Sequence, residues 1–198
     1  MRISVIDKNQ IHEDSTKNVN HTKGVLIFAI NDIILDVINS SASAAAKASH
    51  HHLSKKEEKL SIKTELDVIA NNIEIDADKD RITEALSNII DNAIKFTIKG
   101  IIKVENHVHL DENKIEIKVS NTGSGIPKDI LPRLFGKFVT RNVGKASQHG
   151  TGLGLFITKA IITAHNGQIT AFNNNGGGAT FTIILPINND DNKDIIGK

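Results

Sequence analysis

The periodicity of residues 79–97 restricts this chain more than any other feature. Ile82, Ala85, Leu86, Ile89, Ile90, Ala93, Ile94 and Phe96 fall on one arc of a helical wheel. Arg81, Glu84, Asn88, Asp91, Asn92 and Lys95 fall within about 100° on the other. Asp78 is placed to cap this helix, and Gly100 lies just past its end. A charged stripe alone describes any solvated face. Two asparagines one turn apart do not fit that description well. Asn is a poor helix former, and a mid-helix pair gains little on a wet surface. Its side-chain carbonyl is, however, a good ligand for a hard cation. Lys95, one turn beyond Asn92, adds a positive charge suited to phosphate.

The elements around this helix suggest a layered fold. Residues 1–23 read as a loosely ordered lead-in with a strand-like start at Ile3–Ile6. Val25–Ile30 reads as a short strand, followed by a helical pattern (Ile33, Ile34, Val37, Ile38) with Asn31 as its N-cap. Lys59–Leu66 alternates like a strand, and Ile73 and Ile75 mark another. Two alternating runs, 101–109 and 114–120, form a hairpin. Residues 121–152, rich in Gly, Lys and Arg, are too long for an ordinary connector and are treated as functional. Helical spacing returns over 153–165. A turn at His165-Asn166-Gly167 leads into strands at 168–172 and 179–185, and a polar tail occupies 188–198. Helices set among antiparallel strands predict an α+β fold: a two-layer α/β sandwich with a mixed, mostly antiparallel sheet packed on helices.

Composition excludes several functions. The 198 residues carry 24 Lys+Arg against 23 Asp+Glu, a net charge of +1. No strong field draws the chain to nucleic acid or an anionic membrane. Aromatic residues make up 4%, with no Trp or Tyr, so stacking platforms for single strands are hard to build. The absence of cysteine excludes disulfides, thiolate nucleophiles and Cys-based zinc sites. The longest apolar run, Gly24–Ile30, is too short to span a bilayer, and the first residues hold no signal-peptide core. The expected location is the cytoplasm.

Three glycine clusters carry the remaining chemistry. Asn121-Thr122-Gly123-Ser124-Gly125-Ile126-Pro127 follows a strand. Gly150-Thr151-Gly152-Leu153-Gly154-Leu155 opens a helix. Gly176-Gly177-Gly178-Ala179-Thr180-Phe181 enters the last strand. Glycine lets backbone N–H groups approach a ligand, and a helix start favours anions. The second cluster is thus a phosphate cradle in mechanism. It is neither a Walker A loop, lacking the following Gly-Lys-Ser/Thr, nor a dinucleotide fingerprint, lacking the strand–turn–helix unit.

Taken in this order, the motifs resemble the ATP-binding catalytic domain of sensor histidine kinases. This domain shares a superfamily with DNA gyrase B, the large heat-shock chaperone ATPase and the mismatch-repair ATPase. The resemblance covers about residues 24–187 and implies the Bergerat-type ATP-binding fold. Residues 88–96 resemble the N box, so Asn92 is expected to bind Mg²⁺ bridging the ATP phosphates. Asn88 would support the same site, Lys95 would contact phosphate, and Phe96 closes the motif. Residues 121–127 resemble the G1 box, placing Asn121, Gly123, Gly125 and Ile126 at the nucleotide. Leu134-Phe135-Gly136-Lys137-Phe138 resembles the F box in a lid at about 128–150, with Lys137 a candidate contact to the terminal phosphates. Gly150, Thr151, Gly152, Leu153, Gly154 and Leu155 resemble the G2 box, which supplies N–H groups to phosphate. Thr180 matches the G3 threonine near the adenine. Hydrolysing members of the superfamily carry a glutamate base where this chain has Asn88. An amide cannot take a proton from water near neutral pH, which favours phosphoryl transfer over ATP hydrolysis.

The chain departs from the pattern twice. The G1 box usually begins with Asp, which accepts a hydrogen bond from the adenine amino group. The Asn121 carbonyl would still accept, but without charge assistance, at a deficit of about 1 kcal/mol or fivefold in ATP affinity. Secondly, only some 23 residues precede the first matching strand, too few for the helical hairpin that carries an acceptor histidine. His12-Glu13-Asp14-Ser15-Thr16 imitates an acceptor motif without its proline or hairpin, and His50-His51-His52 reads as a solvated helix end. The expected activity is a histidine protein kinase that uses Mg-ATP to phosphorylate a histidine supplied in trans, with a response regulator as further partner. Without the hairpin, a monomer is expected. The alternatives are a non-catalytic ATP-binding regulatory module, a truncated kinase fragment, or an anti-sigma-type serine kinase.

Overall fold

The computed structural model describes residues 2–7, 26–49, 59–65, 74–140 and 151–187. The expectations for His12–Thr16, His50–His52, Gly150, the second half of the lid and the polar tail lie outside these residues. Among these residues, eight strands and three α-helices follow one another: β1 (Arg2–Asp7), β2 (Leu26–Ala29), α1 (Ile30–Ser49), β3 (Lys59–Glu65), β4 (Glu74–Ala77), α2 (Lys79–Lys95), β5 (Gly100–His109), β6 (Lys114–Asn121), α3 (Gly154–Ala164), β7 (Gln168–Asn173) and β8 (Ala179–Pro186).

Six strands form one sheet in the order β1-β3-β5-β6-β8-β7, while β2 and β4 pair separately. The β1/β3 and β3/β5 pairs are parallel, and the other three in the large sheet are antiparallel. The expected mixed sheet is therefore present. The strand-like start at Ile3–Ile6, assigned above to a loose lead-in, instead lies within an edge strand in register with β3, from Arg2 opposite Lys59 to Asp7 opposite Thr64.

Strict alternation gives the sheet two unlike faces. Ile102 and Val104 of β5, Ile115, Ile117 and Val119 of β6, and Phe181, Ile183 and Leu185 of β8 are buried. They meet Ile82, Leu86, Ile89 and Ile90 of α2 and Ile161 and Ile162 of α3 in one core. The other face carries charged neighbours such as Lys118 with Glu116. This is a two-layer sandwich, with α2 packed between α1 and α3.

Asn31 does not cap α1, because the helix begins one residue earlier and Asn31 lies inside its first turn. Its side chain has other work: Oδ1 accepts from Nδ2 of buried Asn106 on β5 at 2.7 Å. Asp78 does cap α2, accepting from the Arg81 N–H at 3.1 Å. The Asp78 N–H donates to Nε2 of His165 at 3.0 Å, and Nδ1 of His165 lies 2.8 Å from the Ile161 carbonyl. A carbonyl only accepts, so Nδ1 carries the proton. His165 thereby ties the start of α2 to the end of α3.

Candidate functional site

The polar stripe of α2 borders an open cleft of about 320 Å³. Asn88 and Asn92 are half-buried along it, and Lys95 is exposed at its end. The start of α3 faces them. A Cβ at Gly154 would stand 3.0 Å from Oδ1 of Asn88, so the absence of a side chain there lets the two helices approach. The start of α3 thus borders the same cleft as two amide side chains and one lysine. Phosphate favours helix N-termini and positive charge, and amide oxygens suit a hard cation. This donor set fits a magnesium-bound polyphosphate.

Away from this stripe the lining is largely buried and apolar, with Ile130, Leu134, Ala179 and Phe181. Asn121 closes β6 there, at 7% exposure. Its side-chain oxygen was expected to face the ligand. Instead Oδ1 accepts from the Ala179 N–H at 2.7 Å. That N–H can only donate, so the oxygen must face it. Turning the amide over would oppose two donors and strand a buried N–H, at about 1–3 kcal/mol. The surroundings hold this arrangement. Nδ2 of Asn174 donates to the Asn121 carbonyl at 3.1 Å, and the Thr180 hydroxyl donates to Oδ1 of Asn174 at 2.7 Å. Gly178, with φ +84°, passes so close that a Cβ on it would stand 1.9 Å from the Asn121 carbonyl oxygen.

Of the residues singled out in the sequence, Asn88, Asn92, Lys95, Phe96, Asn121, Gly125, Ile126, Thr151, Gly152, Gly154 and Leu155 line the cleft. Gly123 and Leu153 do not line it. A Cβ on Gly123 would strike the Phe96 carbonyl oxygen at 2.0 Å, so this glycine seats the loop against the end of α2. Thr180 turns away, bonded to Asn174 and 2.8 Å from the Ser120 hydroxyl. Lys137 sits on the ring of Phe156, its Nζ 5.0 Å from the centroid, rather than in the cleft. Lys95 similarly lies 5.5 Å from the Phe96 ring centre.

The structure adds lining residues that the sequence reading did not assign to the site: Pro127, Leu134, Ala179 and Phe181, which lie inside the quoted motifs, and Ile130, Val139 and Thr140. Phe181 was findable, because it closes the third glycine cluster at the start of an alternating strand. Ile130, Val139 and Thr140 belong to an aperiodic segment, so nothing in their spacing marks them. Among the described residues, His109, Asp111 and Glu112 cluster on the β5–β6 turn, well apart from the cleft in sequence and unused by it.

Residues 77–189 match the family model described as histidine kinase-, DNA gyrase B-, and HSP90-like ATPase. The adaptive-response sensory kinase SasA of Synechococcus elongatus is 40% identical over 111 residues, which are 56% of this chain and 28% of that protein. The chain therefore spans well under two thirds of this curated relative. The catalytic domain of histidine kinase ThkA superposes with a TM-score of 0.65 at 27% identity, over 82% of this chain and 97% of that one. Full-length ShkA, solved in complex with AMPPNP, shares the fold with a TM-score of 0.66 at 23% identity, over 84% of this chain and 32% of that one. The matched span runs from the capping turn of α2 through β8 and so contains every residue that lines the cleft. The chain belongs to the family of histidine kinase-, DNA gyrase B- and HSP90-like ATPases, as a catalytic domain of the sensor histidine kinase type.

Proposed function

We propose that this domain binds a purine nucleoside triphosphate with Mg²⁺, ATP in the family's usual case, and passes its terminal phosphoryl group to a histidine on another domain. The observation that carries the reading is the meeting of Asn88, Asn92 and Lys95 on α2 with the glycine-opened start of α3 across one cleft. In this reading Asn92 is the metal ligand and Asn88 its neighbour. Lys95 balances phosphate charge, the N–H groups around Thr151–Leu155 hold phosphate oxygens, and Asn121 meets the base. Bound Mg²⁺ would neutralise charge on the phosphates. Lys137 would reach the terminal phosphate only by leaving the Phe156 ring.

Asn88 bears on the type of reaction. An uncharged amide offers no general base for activating water at that position, so hydrolysis is slow and the phosphoryl group is kept for an acceptor. The acceptor domain and a response regulator are the partners this reading implies. ATP supply places the reaction in the cytoplasm. Labelled ATP with a cognate acceptor domain is expected to yield phosphohistidine, recognised by its loss in acid. Acid-stable label would instead indicate a serine kinase. Nucleotide binding with no transfer to any acceptor would leave a regulatory module in place of a kinase.

A further inference from the structure

The amide of Asn121 has one acceptor and two donors. Its oxygen is turned toward the Ala179 N–H. Asn121 lines the cleft, and among the described residues no group accepts from its Nδ2. That nitrogen is not sealed inside the protein. The base end of the cleft therefore presents a hydrogen-bond donor from a side chain that is more than nine-tenths buried.

An aspartate in the same place would behave differently. One carboxylate oxygen would take the Ala179 N–H, and the other would offer an acceptor to the base. Adenine carries an amino group at position six, which is a donor. Against aspartate it finds a partner; against Nδ2 of Asn121 it meets another donor. Guanine and hypoxanthine carry a carbonyl at position six, which accepts from Nδ2. Buried mismatches of this kind discriminate strongly between ligands of nearly equal size.

We propose that Asn121 makes this cleft prefer a 6-oxopurine nucleoside triphosphate, of guanosine or inosine, over the adenosine form. The inference rests on the nucleotide-binding reading above and specifies its base. Phosphate contacts from α2 and α3 are common to all three nucleotides, so adenosine triphosphate still binds, more weakly. Asn121 is thus a specificity-determining residue whose choice is made by Ala179, the neighbour that occupies its oxygen.

The test is calorimetric titration of the whole 198-residue chain with the β,γ-imido triphosphates of adenosine, inosine and guanosine, each with Mg²⁺. Inosine differs from adenosine only around position six and isolates the effect. The inosine and guanosine forms are expected to bind about tenfold more tightly than the adenosine form. Asn121→Asp should reverse the order, because the carboxylate keeps the Ala179 contact and adds an acceptor. Tight inosine with weak guanosine binding would support the proposal and show that the two-amino group is excluded. Equal or tighter binding of the adenosine form by the unaltered chain would overturn the proposal and leave nucleotide binding intact. No binding of any of the three at millimolar concentration would overturn the nucleotide-binding reading itself, and this proposal with it.

Discussion

Asn92 stands one turn beyond Asn88 on the same half-buried stripe of α2, at the mouth of the cleft. Alanine is the better helix former by a few tenths of a kcal/mol, so Asn92→Ala is expected to fold with an unchanged or slightly higher melting temperature. It should bind nucleotide at least about tenfold more weakly in Mg²⁺, and removing Mg²⁺ should then change little. Calorimetry with and without the metal reads both effects. Gly178 gives the opposite expectation. At φ +84° a side chain is strained, and a Cβ would meet the Asn121 carbonyl at 1.9 Å. Gly178→Ala is expected to destabilise the fold by about 2–3 kcal/mol, read as a lowered denaturant midpoint. These two residues also mark how far the sequence could be read. Asn92 announces itself, because a helical period puts it beside Asn88 and Lys95. The orientation of the Asn121 amide does not. It depends on the N–H of Ala179, far along the chain, and only the pairing of β6 with β8 brings that donor near. A side chain named from a motif can thus line the cleft as expected while its oxygen is engaged by a backbone donor that no local signal reveals.

Elements are held together here by a few polar ties set into an apolar core. The Asn31–Asn106 bond joins α1 to the buried face of β5. A buried partner removed singly costs more than the bond itself is worth. Asn106→Ala and Asn31→Ala are each expected to cost about 1–3 kcal/mol, with a coupling of about 1 kcal/mol in the double mutant. Additive losses in urea unfolding would show that the two amides do not act as a pair. His165 forms the second tie, between the cap of α2 and the end of α3. His165→Ala is expected to lower stability by about 1 kcal/mol. It should also speed hydrogen exchange in the first turn of α2, without touching the cleft directly. Both helices were legible from periodicity, and so were the hairpins, because alternation and turn residues are local signals. The two ties were not legible. A lone Asn near a helix start reads as a cap, and a lone His in a turn reads as part of that turn alone, until tertiary packing supplies their partners.

The lining of the cleft runs from Asn88 to Phe181, while the sheet extends past it to an edge strand near the other end of the chain. β1 holds its place through a parallel ladder with β3. A parallel pair cannot be closed by a tight turn, which is why the strand-like run Ile3–Ile6 in a polar surrounding gave no hint of its partner. The ladder also sets an order of events during synthesis. β1 is made before β3, its only neighbour in the sheet among the described residues, and before the hairpin of β5 and β6 that completes the central strands. At ribosomal rates of about 5–20 residues per second, it waits about 3–10 s for its partner to be made. Throughout that time its backbone donors and acceptors are open to any other strand edge in the cell. A strand that lends no residue to the cleft is therefore, among the described strands, the one that waits longest for its first partner.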